Sequence, residues 1–263
     1  MIHPIRTMNV DKVRVEVYSS RVEMGLAVAE AVATRMRQLL SQKQGVSVVF
    51  AAADSQKEFL DALAAEKGID WGRVTAFHMD EYLGVPGTAP QSFGRWLRDR
   101  LFGRVRPGTV HYMDGMGRSP EAECARYAAL LQSAPLDIAC LGIGENGHLA
   151  FNDPPVADFA DPKRVKRVEI DEASRIQQSA EGNFPRPEDV PRVALTMTIP
   201  ALLAAPFIVC TVPGPRKAQA VKAALYGPLS TACPATAVRS HAGTVVYLDP
   251  ESSRLIDTAI AGR

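Results

Sequence analysis

Short apolar runs alternate along this chain with longer segments of helical period, the pattern expected when parallel strands are joined by helical crossovers. Val13-Arg14-Val15-Glu16-Val17 changes character at every residue, as a strand with one buried face does. Ser20 then caps an alanine- and leucine-rich amphipathic segment that predicts a helix through Leu40. Residues 46–51 are apolar enough to predict a central strand. A helix is predicted over 55–65, strands over 74–78, 136–141 and 207–212, and a helix from the turn at 213–217 through Tyr226. The expected fold is therefore α/β: a doubly wound, mostly parallel sheet with helices on both faces, Rossmann-like, in a single domain over residues 1–263. In such sheets ligands gather beyond the carboxyl ends of the strands, so the turns after them are where chemistry is sought. Two Pro- and Asp-rich stretches, 153–162 and 183–191, read as mobile loops or a lid.

Composition narrows the partners. A chain of 263 residues can bury a substantial core. Its 30 basic and 29 acidic residues are spread without a long run of one sign, which gives no electrostatic reason to expect nucleic acid or an acidic membrane. A small molecule is the expected partner, and a homo-oligomer stays open. No window is apolar for the length of a membrane span, and the opening residues carry no apolar signal core, so a soluble, cytoplasmic protein is expected. Cys124, Cys140, Cys210 and Cys233 are far apart and form no C-x-x-C pair, so neither a zinc site nor a disulfide framework is suggested.

Three turns carry candidate chemistry. Phe77-His78-Met79-Asp80-Glu81-Tyr82 puts two acids directly after an apolar strand. Neighbours on an extended chain point to opposite sides, so only one of them faces a given cleft. Either both cap the following helix or one serves as a general base. The second turn is Gly142-Ile143-Gly144-Glu145-Asn146-Gly147-His148-Leu149-Ala150-Phe151-Asn152-Asp153-Pro154. Its glycines allow sharp turning and close approach to a ligand, and His148 stands among Glu145, Asn146 and Asp153, which can orient one ring nitrogen while the other faces substrate. The Gly-x-Gly element lacks the third glycine and the helix start of a dinucleotide fingerprint, so no nicotinamide cofactor is expected. The third turn, Val212-Pro213-Gly214-Pro215-Arg216-Lys217, places cations at a helix start, against its dipole, which a bound phosphate would resolve. Ala51-Ala52-Ala53-Asp54-Ser55-Gln56 offers a hydroxyl and helix N-terminal amides to the same phosphate.

Over residues 46–248 these motifs resemble the glucosamine-6-phosphate deaminase (isomerase) family, which shares its fold with the 6-phosphogluconolactonases. Met79-Asp80-Glu81-Tyr82-Leu83-Gly84 and the Gly142–Pro154 run carry the resemblance, and Phe151-Asn152-Asp153-Pro154 after the histidine favours the amino-sugar branch over the lactonases. The resemblance implies conversion of a hexosamine 6-phosphate, foremost glucosamine 6-phosphate, to a ketose 6-phosphate and ammonia, without metal or redox cofactor. It implies that His148 assists ring opening, that Asp153 holds the imidazole, with Asn146 and Glu145 beside it, and that Asp80 carries a proton between C2 and C1. Lys217 matches the family's phosphate-contacting lysine, Ser55 aligns with its phosphate-loop hydroxyl, and Glu81, Gly144 and Gly147 are expected against the substrate.

Three departures stand out. Asn146 replaces an aspartate, alanines replace a glycine-rich phosphate loop where Asp54 would repel an anion, and the phosphate-binding arginine has no clear counterpart, Arg167 and Arg175 being the nearest candidates. Arg164 and Lys166 resemble an allosteric segment whose serines are missing, so no amino-sugar allostery is expected. A lactonase acting on a phosphorylated sugar acid and a non-catalytic sugar-phosphate sensor are the alternatives.

Overall fold

The computed structural model describes residues 2–256. Its strands are β1 (Arg6–Val10), β2 (Val13–Val17), β3 (Val46–Phe50), β4 (Val74–His78), β5 (Asp80–Tyr82), β6 (Thr109–His111), β7 (Ile138–Leu141), β8 (Val165–Glu169), β9 (Val193–Met197), β10 (Phe207–Val212) and β11 (Thr244–Leu248). The main sheet runs β1-β2-β11-β10-β7-β3-β4-β6. Only its β1–β2 pair is antiparallel; the pairs from β2–β11 to β4–β6 are parallel.

Helices cover both faces, as the alternating pattern requires. On β3, Val46, Val48 and Phe50 join one hydrophobic layer and Val49 joins the other; on β7, Ile138 and Cys140 face one way, Ala139 and Leu141 the other. The first layer packs under α1 (Arg21–Gln42) and α2 (Lys57–Ala65), whose Met24, Val28, Val32, Met36, Phe59, Leu60 and Leu63 are fully buried. The second packs under α4 (Pro120–Ser133) and α6 (Ala218–Tyr226) through Tyr127, Leu131, Val221, Ala224 and Leu225, with the one-turn α3 (Phe93–Leu97) and α5 (Glu172–Ala180) completing the helices used below. Truncating one of the buried leucines or methionines to alanine removes about 2–5 kcal/mol. Ser20 caps α1 by accepting from the Glu23 amide, as its place before the periodic segment predicts.

Boundaries move where polar side chains intervene. The strand predicted over 136–141 begins at Ile138, because Asp137 acts as a joint, accepting from the Ser47 amide at 2.9 Å and pairing with Lys43. The helix predicted over 55–65 begins as a 3₁₀ turn, Asp54–Gln56, before α2.

A second sheet, β5-β9-β8, is wholly antiparallel and was not anticipated. It matters because it holds Asp80, whose backbone pairs with Thr196. The strand order of the main sheet reverses between β3 and β7: the chain leaves β3 for β4 and β6 on one side and returns to β7 on the other. The loops after β3, β4, β7 and β10 diverge at that reversal and leave a crevice.

Candidate active site

The crevice is lined by Ala51 to Ala53 and Ser55 from the turn after β3, Asp80 from β5, Gly142, Gly144 and His148 from the loop after β7, Gln177 and Gln178 from α5, and Lys217 before α6. Residues from five separate places in the sequence thus meet at the carboxyl edge of the sheet.

Asp80 is buried, and burial pushes its carboxyl well above the usual carboxylate range, with the adjacent Glu81 adding to the shift. Its backbone is braced by His78. The Met113 amide donates to His78 Nε2 at 2.8 Å, so the proton sits on Nδ1, which donates to the Asp80 carbonyl at 2.9 Å. Burial lowers the His78 pKa despite nearby Glu81 and Glu123, in keeping with this neutral, bracing role. The Tyr127 hydroxyl fixes the same corner by donating to the His78 carbonyl at 2.8 Å.

Alternation along β5 separates the two acids. Glu81 points away from the crevice and accepts from the Ser92 hydroxyl at 2.7 Å and from the Phe93 and Gly94 amides at 3.1 and 3.0 Å, capping α3. The expectation that Glu81 meets substrate is therefore corrected: its carboxylate is consumed by the orphan amides of a helix start.

The loop after β7 is built around the imidazole of His148. Nδ1 lies 2.8 Å from Asn146 Oδ1, 2.8 Å from Ser174 Oγ and 3.1 Å from Asp153 Oδ1. Three oxygens around one nitrogen keep a proton there and leave Nε2 for the crevice. Asp153, fully buried, accepts from the Asn146 amide at 3.0 Å, from the Ser174 hydroxyl and from the Asp171 backbone at 3.1 Å. Burial alone would raise its pKa; the hydrogen bonds and charge of His148, with Asn146 and Ser174, outweigh it and hold the carboxylate at about 2. The predicted mobile stretch over 153–162 thus starts from a fixed point, with the Asp153 carbonyl accepting from Val156 and Ala157 at 3.0 and 2.9 Å.

Of the motif glycines, Gly144 lines the crevice because a Cβ there would fall 2.1 Å from His148 Cε1: its missing side chain is the space the imidazole fills. Gly147 does not reach the crevice. It turns at φ 85° beneath Cys233, whose Sγ would lie 2.5 Å from an added Cβ, so it shapes the loop rather than touching a ligand, contrary to expectation. Asn146 also stays behind the imidazole. Glu145 turns to the other side and pairs with Arg216 at 2.7 Å, so it is not part of the His148 cluster. Ala150, on the crevice wall, takes φ 51°, a conformation alanine rarely adopts.

At the far end, Lys217 is buried and its ammonium makes no hydrogen bond or ion pair among the described residues; burial lowers its pKa. Ser55 accepts from Gln56 Nε2 at 3.0 Å, which leaves its proton to donate. None of the three alanines before it adopts a positive φ, so the turn needs no glycine, and Asp54, paired with Lys57 and Arg21, is held below the usual carboxylate range although burial works against it. The two arginine candidates are elsewhere. Arg175 donates to the Pro187 carbonyl at 2.7 Å and pins the stretch expected to be a lid, while Arg167 is exposed on β8.

Ser174, Gln177 and Gln178 were missed, although their i, i+3, i+4 spacing marks one face of α5. No cluster of three or more His, Cys, Asp or Glu placed to hold a metal ion occurs among the described residues. Nor, among them, is any helix long and apolar enough to cross a membrane.

Comparison with known proteins shows what the whole chain resembles. The family model for glucosamine-6-phosphate isomerases/6-phosphogluconolactonase matches residues 19–247. A glucosamine-6-phosphate deaminase of Bacillus cytotoxicus is 37% identical over 193 residues, 73% of this chain and 72% of that protein. One of Bacillus thuringiensis is 35% identical over 234 residues, 89% and 84% of the two chains. Among solved structures, a monomeric glucosamine-6-phosphate deaminase superposes with a TM-score of 0.84 at 29% identity, over 92% of this chain and 99% of that one. A 6-phosphogluconolactonase from Thermotoga maritima superposes with a TM-score of 0.74 at 25% identity, over 90% and 100%. On a match spanning most of its length, shared by sequence relatives and by fold, this chain belongs to the glucosamine-6-phosphate isomerase/6-phosphogluconolactonase family of enzymes.

Proposed function

We propose that the enzyme converts glucosamine 6-phosphate and water to fructose 6-phosphate and ammonia in the cytoplasm. The observation that carries this reading is a buried, hydrogen-bond-poor Asp80 across one crevice from an imidazole whose Nδ1 is fully engaged. His148 Nε2 takes the proton of the anomeric hydroxyl and returns it to the ring oxygen, opening the sugar to its aldehyde. Asp80 then removes the C2 proton, leaving an enolamine, and delivers a proton to C1. Water adds to the resulting C2 iminium, and ammonia departs as the ketone forms. Proton transfer by a placed side chain supplies about 10²–10⁴-fold; Lys217 and Ser55, holding the phosphate, add positioning.

Identity above one third to curated deaminases, and a solved deaminase at 29% and TM-score 0.84 against a solved lactonase at 25% and 0.74, support the amino-sugar reading over the lactone one. A binding-only role draws no support from Asn146 or from the alanine turn. The carboxamide of Asn146 joins His148 to Asp153, and the turn runs extended. The test is release of ammonia and fructose 6-phosphate from glucosamine 6-phosphate by the protein and by Asp80→Asn. Turnover abolished in the variant supports the reaction and its base; binding of sugar phosphate without turnover in the unaltered protein refutes it.

A further inference from the structure

The crevice opens into a second hollow of about 150 Å³ that shares Ser55 and Lys217 with it and adds Arg21, Arg216, Glu145 and Glu181. Its two guanidinium groups are in different situations. Arg21 is committed, with Nη2 donating to the Asp54 carbonyl at 2.6 Å and carboxylate at 3.0 Å, and Nε pairing with Glu58 at 2.8 Å. Among the described residues Arg216 has a single ion pair, to Glu145 at 2.7 Å, and both partners reach water, their side chains being 48% and 31% exposed. The buried Lys217 lines both the hollow and the crevice, and its ammonium has no ion pair among the described residues. Glu181 on the same wall is anchored through Oε1 to Gln177 at 2.7 Å, while its buried Oε2 has no hydrogen-bond partner among the described residues.

We infer that Arg216 supplies the guanidinium for the substrate's phosphate, exchanging the Glu145 carboxylate for a phosphate that Lys217 and Ser55 hold from the other side. The inference rests on the sugar-phosphate reading above and names the arginine that the linear sequence did not reveal. Its physical basis is an exchange of like for like. The planar fork that binds a carboxylate matches a phosphate equally well, and the dianion brings more charge and an additional acceptor oxygen to a place where an unpaired ammonium already waits. Glu145, about a third exposed, is free to turn outward when displaced. Until then the Glu145 carboxylate neutralises Arg216. Neither α5 nor β8 offers a rival: the crevice face of α5 carries the neutral Gln177 and Gln178, and Arg175 is spent on the Pro187 carbonyl.

Two substitutions with opposite expected signs separate this role from a structural clamp. In the full-length protein, calorimetric titration with inorganic phosphate should show binding weakened roughly 10- to 100-fold by Arg216→Gln, as for loss of a charge-assisted bond. Glu145→Gln, which frees the guanidinium, should tighten binding by a few-fold. With glucosamine 6-phosphate, R216Q should raise KM by a similar factor and change kcat far less. Arg216→Lys, keeping charge without the fork, should fall between. Equal phosphate affinity in R216Q and the unaltered protein overturns the inference, as does weakening by both R216Q and E145Q, or no phosphate binding at all. Phosphate bound through Arg216 by a protein that releases no ammonia would uphold the inference and refute the deaminase reading. Ammonia release with KM unmoved in R216Q would do the reverse.

Discussion

Asp80 and Asp153 are the same residue type, both withdrawn from water beside one crevice, and the structure holds them in opposite states. Asp153 receives hydrogen bonds from Asn146, Ser174 and the Asp171 amide and lies against His148, so it remains an anion down to about pH 2. Asp80 is given no such donors and has Glu81 as its neighbour in the chain, so its carboxyl is pushed well up. Burial is common to both; the supply of donors decides the sign. The first is fit to be a fixed charge that orients a base, the second to give and take a proton.

The largest effect should come from removing the poised carboxylate. Asp80→Asn should lower kcat by at least about 10²–10⁴-fold while making the protein melt higher at neutral pH. The sign follows from linkage: a carboxyl whose folded pKa is raised binds its proton more tightly when folded, so its ionised form costs stability above the unfolded pKa. Asparagine removes that cost, and the gain in melting temperature should shrink as pH falls towards the ordinary carboxylate range.

Asp153→Asn should do the opposite to stability. A depressed pKa contributes stability that is present above the unfolded value and lost as pH falls through about 2. Urea unfolding at pH 7 should therefore show a loss of about 2–3 kcal/mol, declining below pH 4. Turnover should fall by about 10²-fold, because the imidazole loses the charge that stabilises its protonated form.

Ser174→Ala is the mildest way to blur the contrast. It removes one donor from Asp153 and one acceptor from Nδ1, and should cost about 1 kcal/mol of stability. It should lower kcat several-fold, leave KM in place, and move the acid limb of the pH–rate profile. Those kinetic changes distinguish positioning from simple packing.

The contrast between the aspartates was only half legible in the chain. Within the main sheet, β2, β3, β4, β7 and β10 declared themselves because each is apolar or alternating, whereas β1, β6 and β11 were not predicted; Asp80 and His148 were found because they follow two of the legible strands. The small sheet was hidden: β5 is three residues of Asp, Glu and Tyr, and its partner strand β9 lies more than a hundred residues away. Pairing of that kind leaves no local period to read. Glu81 was expected against the substrate, although alternation already allowed only one of the two acids to face the crevice; the helix it caps begins twelve residues later. The polar stripe of Ser174, Gln177 and Gln178 looks in sequence like the solvent face of a helix, and only the fold turns it inward. Gly147 was correctly read as a turn, but the sulfur it accommodates comes from Cys233, which nothing in the local sequence announces.

The division of labour between the two carboxylates is tested most directly by titrating them. Carbon-13 NMR of aspartate-labelled protein, with D80N and D153N used to assign the two carboxyl signals, reads each pKa in place. The account predicts Asp153 at about 2 and Asp80 well above the ordinary carboxylate range. Asp80 titrating at or below that range would contradict it.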